Sequence, residues 1–129
     1  MKQFISLESI LIFFLLFINL SCKKGSDCGC GAEVVNRYLP RTGGELLYNQ
    51  NKGRWMLSYS PGRGAFSNFF PCNTGQDSLQ VILQGANQTQ SFVVWFSGNI
   101  KGPCPNEDFG YTNALTSFEY IELDSLSRN

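Results

Sequence analysis

Histidine is absent from this chain of 129 residues. A base that works near neutral pH is most often a histidine, so Ser-His and Cys-His nucleophile arrangements are excluded. Charge excess is lacking too: ten basic and ten acidic residues cancel. No Lys/Arg run exceeds Lys23-Lys24. A nucleic-acid binder needs a basic field to displace counterions from phosphates, so no nucleic-acid partner is expected. No apolar run approaches the ~20 residues that cross a bilayer, and no window carries convincing helical periodicity. The best helical candidate is 76–83, and its β-branched content argues against it. A phosphate-cradling loop would need more glycines than Gly62-Arg63-Gly64 and a following helix. Asn106 to Asp108 lack the spacing of an EF-hand loop. Neither a cofactor nor a metal is expected.

The N-terminus does carry a pattern. Lys2 is a short positive segment, and 10–20 (ILIFFLLFINL) has the length of a signal-peptide apolar region. Ser21 and Cys22 follow. A small residue before a cysteine is what lipoprotein processing requires, because the thiol receives the diacylglyceryl group. Residues 1–21 are therefore read as a cleaved signal peptide, and Cys22 as the lipidated (palmitate-type) first residue of the mature protein. Leu20 sits next to Ser21, and Asn19 takes the place where the usual box has leucine. L-S-C-K-K resembles the looser boxes of Bacteroidota lipoproteins. The expected address is the cell envelope, lipid-anchored. Lys23 after the anchor does not resemble an inner-membrane retention signal, which points to the outer membrane. The alternatives are a plainly secreted form and an uncleaved anchor.

Five cysteines are present, and lipidation of Cys22 leaves Cys28, Cys30, Cys72 and Cys104. An even number in an oxidising compartment implies two disulfides with three possible connectivities. A bridge between Cys28 and Cys30 would close a small strained ring, so each is expected to pair separately with Cys72 or Cys104. The competing arrangement, Cys72–Cys104 with a bridged or free C-G-C, carries a redox or soft-metal alternative through thiolates.

Residues 22–32 (CKKGSDCGCGA) read as a tether, and 33–129 as a single β domain. Seven short strands are expected: 33–39, 45–48, 54–59, 65–70, 79–84, 91–96 and 118–123. Gly, Pro and Asn turns separate them. Trp55, Leu57 and Tyr59 share one face. The run 91–96 (SFVVWF) is apolar on both faces, as in a central strand, and Ser97-Gly98 marks a bulge or bend. The gap 100–117 reads as a loop pinned by Cys104. The expected class is all-β, a small antiparallel barrel (OB-like) or a sandwich.

Two kinds of site remain. Carboxylates at Glu107, Asp108, Glu119 and Glu122 are candidates for a carboxylate-based hydrolase, although a solvated loop and an outward strand face account for them. The rings Phe66, Phe69 and Phe70 are candidates for a binding face, although most aromatics of so small a domain must form its core.

F-F-P-C-N (69–73), V-V-W-F-S-G-N-I-K (93–101) and the closing F-E-Y-I-E-L together resemble a group of small uncharacterised lipoproteins of Bacteroidota. These have a P-C-N turn and a V-x-F-S-G strand end. The resemblance spans Phe66 to Leu123. It implies a compact β domain on an envelope without catalytic residues, and C-G-C and the Cys104 loop stand outside its pattern. The expected function is non-catalytic binding of an envelope protein or glycan, with the lipid anchor contacting the membrane.

Overall fold

The computed structural model describes residues 28–109 and 113–129. The export segment, Cys22 and the tether up to residue 27 lie outside the described residues. Five strands close into a barrel: β1 Arg37–Asn49, β2 Arg54–Gly62, β3 Ala65–Pro71, β4 Phe92–Lys101 and β5 Thr116–Arg128. A helix, α1 (Asp77–Leu83), joins β3 to β4, and a 3-10 turn at Gly29–Gly31 precedes the barrel. The strand order is β1-β2-β3-β5-β4 with β4 returning to β1. Every pairing is antiparallel except β3 with β5, which is parallel. This order, with a helix between β3 and β4, is the OB arrangement. The sandwich is excluded, and "antiparallel" holds for all pairs but one.

Five strands replace the expected seven, for two reasons. First, 33–39 and 45–48 belong to one continuous strand. Pro40 does not end it, because the ladder to β4 shifts register between Leu39 and Thr42 and needs no N–H from proline there. Beyond that irregularity β1 coils around the barrel, pairing with β4 and then with β2; Glu45 faces both Val93 and Ser58. Gly44 permits this coil, since a Cβ there would lie 2.5 Å from the Ser58 carbonyl oxygen.

Second, the segment expected as strand 79–84 is α1. A period of two would put Leu79, Val81 and Leu83 on one face, yet Val81 is 71% exposed while Leu79 is 2% exposed. Leu79, Ile82 and Leu83 recur at helical spacing and pack against the barrel core. Closing the barrel end needs such a short plug, and Asp77 in its first turn suits the helix dipole.

The interior is filled by Leu46, Leu57, Phe69, Val94, Phe96, Ile100, Ile121, Leu123 and Leu126, with Leu79 from α1. Trp55 and Tyr59 pack against the same core, as their alternation with Leu57 requires. The β2–β3 turn is Arg63-Gly64, both at positive φ (56° and 75°), the handedness of a tight two-residue hairpin. In β4, Ser97/Gly98 is a register shift. Its second half is buried on both faces, whereas Val93 and Trp95 in its first half are exposed, so only that second half behaves as a central strand.

Candidate functional site: a clamped aromatic face and an adjoining cleft

Two disulfides tie the N-terminal turn to the barrel. Cys28 pairs with Cys104 and Cys30 with Cys72, with Cα atoms 4.8 Å and 5.2 Å apart. Cys28 and Cys30 thus take separate partners. The last part of the expected tether, residues 28–32, is docked: Gly29 and Ala32 are buried, and the Gly29 N–H donates to the Gly102 carbonyl at 2.7 Å. The Cys28 bridge fixes the start of the β4–β5 loop, whose chain then crosses the outer face of β3 and β5.

That outer face is aromatic. Phe70 of β3 and Phe118 and Tyr120 of β5 face outward, because Phe69 and Ile121 beside them point into the barrel. Phe109 from the loop lies on them. Its ring stacks on Phe118 at 5.1 Å and on Phe70 at 5.7 Å, with interplanar angles of 8° and 13°. Cations border the stack. Lys52 Nζ lies 4.7 Å from the Phe109 centroid, and Arg54 Cζ lies 5.2 Å from that of Phe70.

Glu107 completes the clamp. Its carboxylate accepts a hydrogen bond from the Tyr120 hydroxyl and one from the Cys104 N–H at 3.3 Å, and it sits 3.5 Å from Lys52 Nζ. Desolvation pushes this carboxyl up, but the Tyr120 hydroxyl, the Cys104 N–H and Lys52 together outweigh it and hold it below the usual range. Burial, and next the Glu107 carboxylate, push the Tyr120 phenol up to about 12.

The other expected carboxylates are elsewhere. Glu119 receives both ends of the Arg37 guanidinium, at 2.9 Å and 2.7 Å. That bond raises the Arg37 pKa, burial works against the rise, and the Glu119 charge adds to it. Glu122 pairs with Lys101 at 3.1 Å. Glu107 is bonded to Tyr120, so it and Glu119 stand on opposite faces of β5. Glu107 is the one drawn into an aromatic setting, and it is held ionised rather than kept as an acid.

Of the three rings expected as a binding face, Phe69 is 0% and Phe70 1% exposed, while Phe66 is 48% exposed. Phe69 and Phe70 are corrected to core residues. The first alternates into the barrel, and the second is covered by Phe109. Phe66 remains at the surface beside Leu115, whose carbonyl accepts its N–H at 2.7 Å.

A cleft of about 250 Å³ opens between the β1–β2 hairpin and α1. Tyr48 and Trp55 form one wall, edge to face at 5.6 Å, and Leu79 and Leu83 form another. Arg54, Thr74 and Gln80 are its polar members. Concave, mostly apolar sites with a few convergent polar groups are where small ligands bind. None of these residues was singled out from sequence as a site. Tyr48 and Trp55 meet across a hairpin, and Gln80 joins them only because 77–83 is helical.

No known protein family and no curated protein sequence matches this chain.

Proposed function

We propose that this protein is an exported lipoprotein, anchored through Cys22 in the outer membrane, whose OB-like barrel is a non-catalytic module binding a glycan of the envelope. The observation that carries the binding half is the cleft: two aromatic rings, two leucines and a few hydrogen-bonding groups around a volume suited to one ring of a ligand. Drug-sized ligands need pockets of roughly 300–1,000 Å³. The address is supported by cysteine parity. Two bridges consume all four cysteines of the described residues, such bridges persist outside the cytoplasm, and the sequence has one cysteine more, at the end of the signal segment.

The carboxylates weigh against a hydrolase. A carboxylate pair flanking one bond is required, with one member kept protonated; Glu107 and Glu119 sit on opposite faces, each already engaged. The bridges weigh against redox or soft-metal work by C-G-C, since both thiols are consumed by distant partners. A second reading, a protein partner, is favoured by the exposed pair Phe66 and Leu115 at the start of β3 and β5.

Intact and digested mass spectrometry of the protein extracted from membranes tests the address. The expected product begins at Cys22 with an added acyl mass, and C22S should leave the membrane fraction. Material that starts upstream, or carries no acyl group, overturns it. Binding is tested by retention on immobilised neutral and acidic polysaccharides. Loss of retention on substituting Trp55, but not Phe66, is expected; the reverse favours the protein partner.

A further inference from the structure

Among the described residues eight large hydrophobics are exposed, and five of them share one place in the fold. Val93 and Trp95 lie on β4, Tyr38 on β1, and Val34 and Val35 on the lead-in to β1. Tyr38 stands opposite Asn99, Gly43 opposite Trp95, and Glu45 opposite Val93. Val94 and Phe96 fill the barrel, so Val93 and Trp95 project outward. The Trp95 ring covers Gly43, where a Cβ would lie 3.4 Å from it. Residues 33–36 run on beside the end of β4, where the Asn36 N–H donates to the Ile100 carbonyl at 2.8 Å. Both rings have polar tips. The Tyr38 hydroxyl donates to Asp124 at 3.2 Å, and the Trp95 indole N–H donates to Asn129 at 3.4 Å. An apolar body with a polar tip suits a side chain to a bilayer interface, wet at one end and apolar at the other.

What covers this face follows from where the anchoring chain leaves the barrel. Cys28 is bridged to Cys104, and the Gly29 N–H bonds the Gly102 carbonyl, one residue past β4. The chain toward Cys22 departs there, at the end of the ladder where 33–36 also lie. Six residue steps separate Cys28 from Cys22, a reach of about 20 Å at full extension. A domain of this size is about 30 Å across. An acyl chain on Cys22 therefore holds the Cys28 side of the barrel toward the bilayer. So short a link sets an effective concentration on the order of mM, which engages a contact too weak to hold alone. Charge does not direct this face to anionic lipid. Arg37 and Lys101 are paired with Glu119 and Glu122, and Glu33, Glu45 and Asp124 offset Arg41 and Arg128. Apolar burial at the interface is the attraction that remains.

Resting on the reading of Cys22 as a lipid anchor, we propose that the outer face of the β1–β4 ladder, with Val34 and Val35, lies on the bilayer surface. Tyr38 and Trp95 seat at the level of the headgroups, and the barrel is held in one orientation instead of turning on its tether. The β2–β3 hairpin and the exposed pair Phe66 and Leu115 belong to other strands and stay off the lipid.

The test reconstitutes the full lipidated protein into phosphatidylcholine vesicles brominated on the acyl chains near the headgroup. Bromine quenches tryptophan only at short range. The two tryptophans are Trp55 and Trp95, so wild type should lose the Trp95 part of its emission, and W95F should lose little. Phe at that position keeps an aromatic cover over Gly43. In the W95F background, F66W should remain unquenched. V34S/V35S/Y38S should lose most of the Trp95 quenching, and 1 M salt should not change it. Near-UV circular dichroism establishes that each variant is folded, and the comparison of Trp95 with F66W needs no change to the proposed face. Protein that floats with the vesicles but shows Trp95 and F66W quenched equally, or Trp95 not at all, overturns the orientation and leaves the anchor standing. A dimer in which Trp95 is shielded from aqueous iodide, with no lipid quenching, overturns it in favour of a second copy. Protein that carries no acyl mass and does not float sinks the anchor reading itself, and the orientation with it.

Discussion

At the residue scale, adjacent phenylalanines have different fates. Phe69 fills the barrel and meets Phe96 edge to face at 6.1 Å, so truncating it creates a cavity that close-packed neighbours cannot refill. Phe69→Ala should cost about 3–5 kcal/mol, whereas Phe66→Ala should change stability by about 0.5 kcal/mol or less. Urea unfolding of both variants checks the contrast. The Glu107–Tyr120 pair makes a pH statement. The Glu107 carboxyl is lowered in the folded protein from 4.5. Its contribution is therefore complete above that value and is lost as pH falls through the lower folded value. Tyr120 is raised from 10.0 to about 12, so its contribution is complete below 10.0 and fades as pH rises between the two. E107Q should flatten the acid limb of the stability profile and cost about 1 kcal/mol at neutral pH. Spectrophotometric titration should find one tyrosine ionising near 12, and Y120F should remove that step.

At the element scale, the close approach of β4 to β5 depends on Gly98. A Cβ at that position would lie 2.3 Å from the Glu122 carbonyl oxygen and 3.0 Å from Ile121 Cγ1. The register shift between Ser97 and Gly98 brings the strands together there. A backbone oxygen cannot rotate away as a side-chain tip can, so the strands must separate. Gly98→Ala should destabilise by about 2 kcal/mol or more, while Gly75→Ala, with open space around its Cβ, should be near neutral. Thermal melts of the two variants decide the point, and equal effects would show that Gly98 is not the constraint.

At the scale of the whole molecule, the bridges close long loops, with sequence separations of 76 and 42 residues. Each restricts the unfolded chain by an amount worth about 4 kcal/mol in the loop-entropy account. The shorter loop lies within the longer, so their joint effect is less than the sum. A small barrel benefits from such staples because its core is limited. The double variant C28S/C104S should lower the melting temperature by about 10 °C or more. It should also release the chain carrying Phe109 and raise binding of a hydrophobic dye to the Phe70–Phe118–Tyr120 face. C30S/C72S should lower stability without the same gain in dye binding, because Cys72 does not hold that loop.

The sequence by itself determined what local pattern can determine. Alternation placed Trp55, Leu57 and Tyr59 on one face, and glycine-rich turns delimited β2 and β3. The strain of a ring across C-G-C argued for separate partners, and Ser97-Gly98 announced a break in β4. Tertiary structure decided the rest, because a period of two says which residues share a face and not what covers it. Barrel closure made one strand of two at Pro40, and the need to plug its end turned the Leu79 segment into a helix against its β-branched content. Which of Cys72 and Cys104 each partner takes follows from where the β3 end and the β4–β5 loop lie relative to the 3-10 turn. Phe70 became core only because Phe109, far along the chain, lies upon it. The cleft likewise exists only where a hairpin meets a helix, and Arg54 reaches the Phe70 and Tyr120 rings only because β3 and β5 lie side by side.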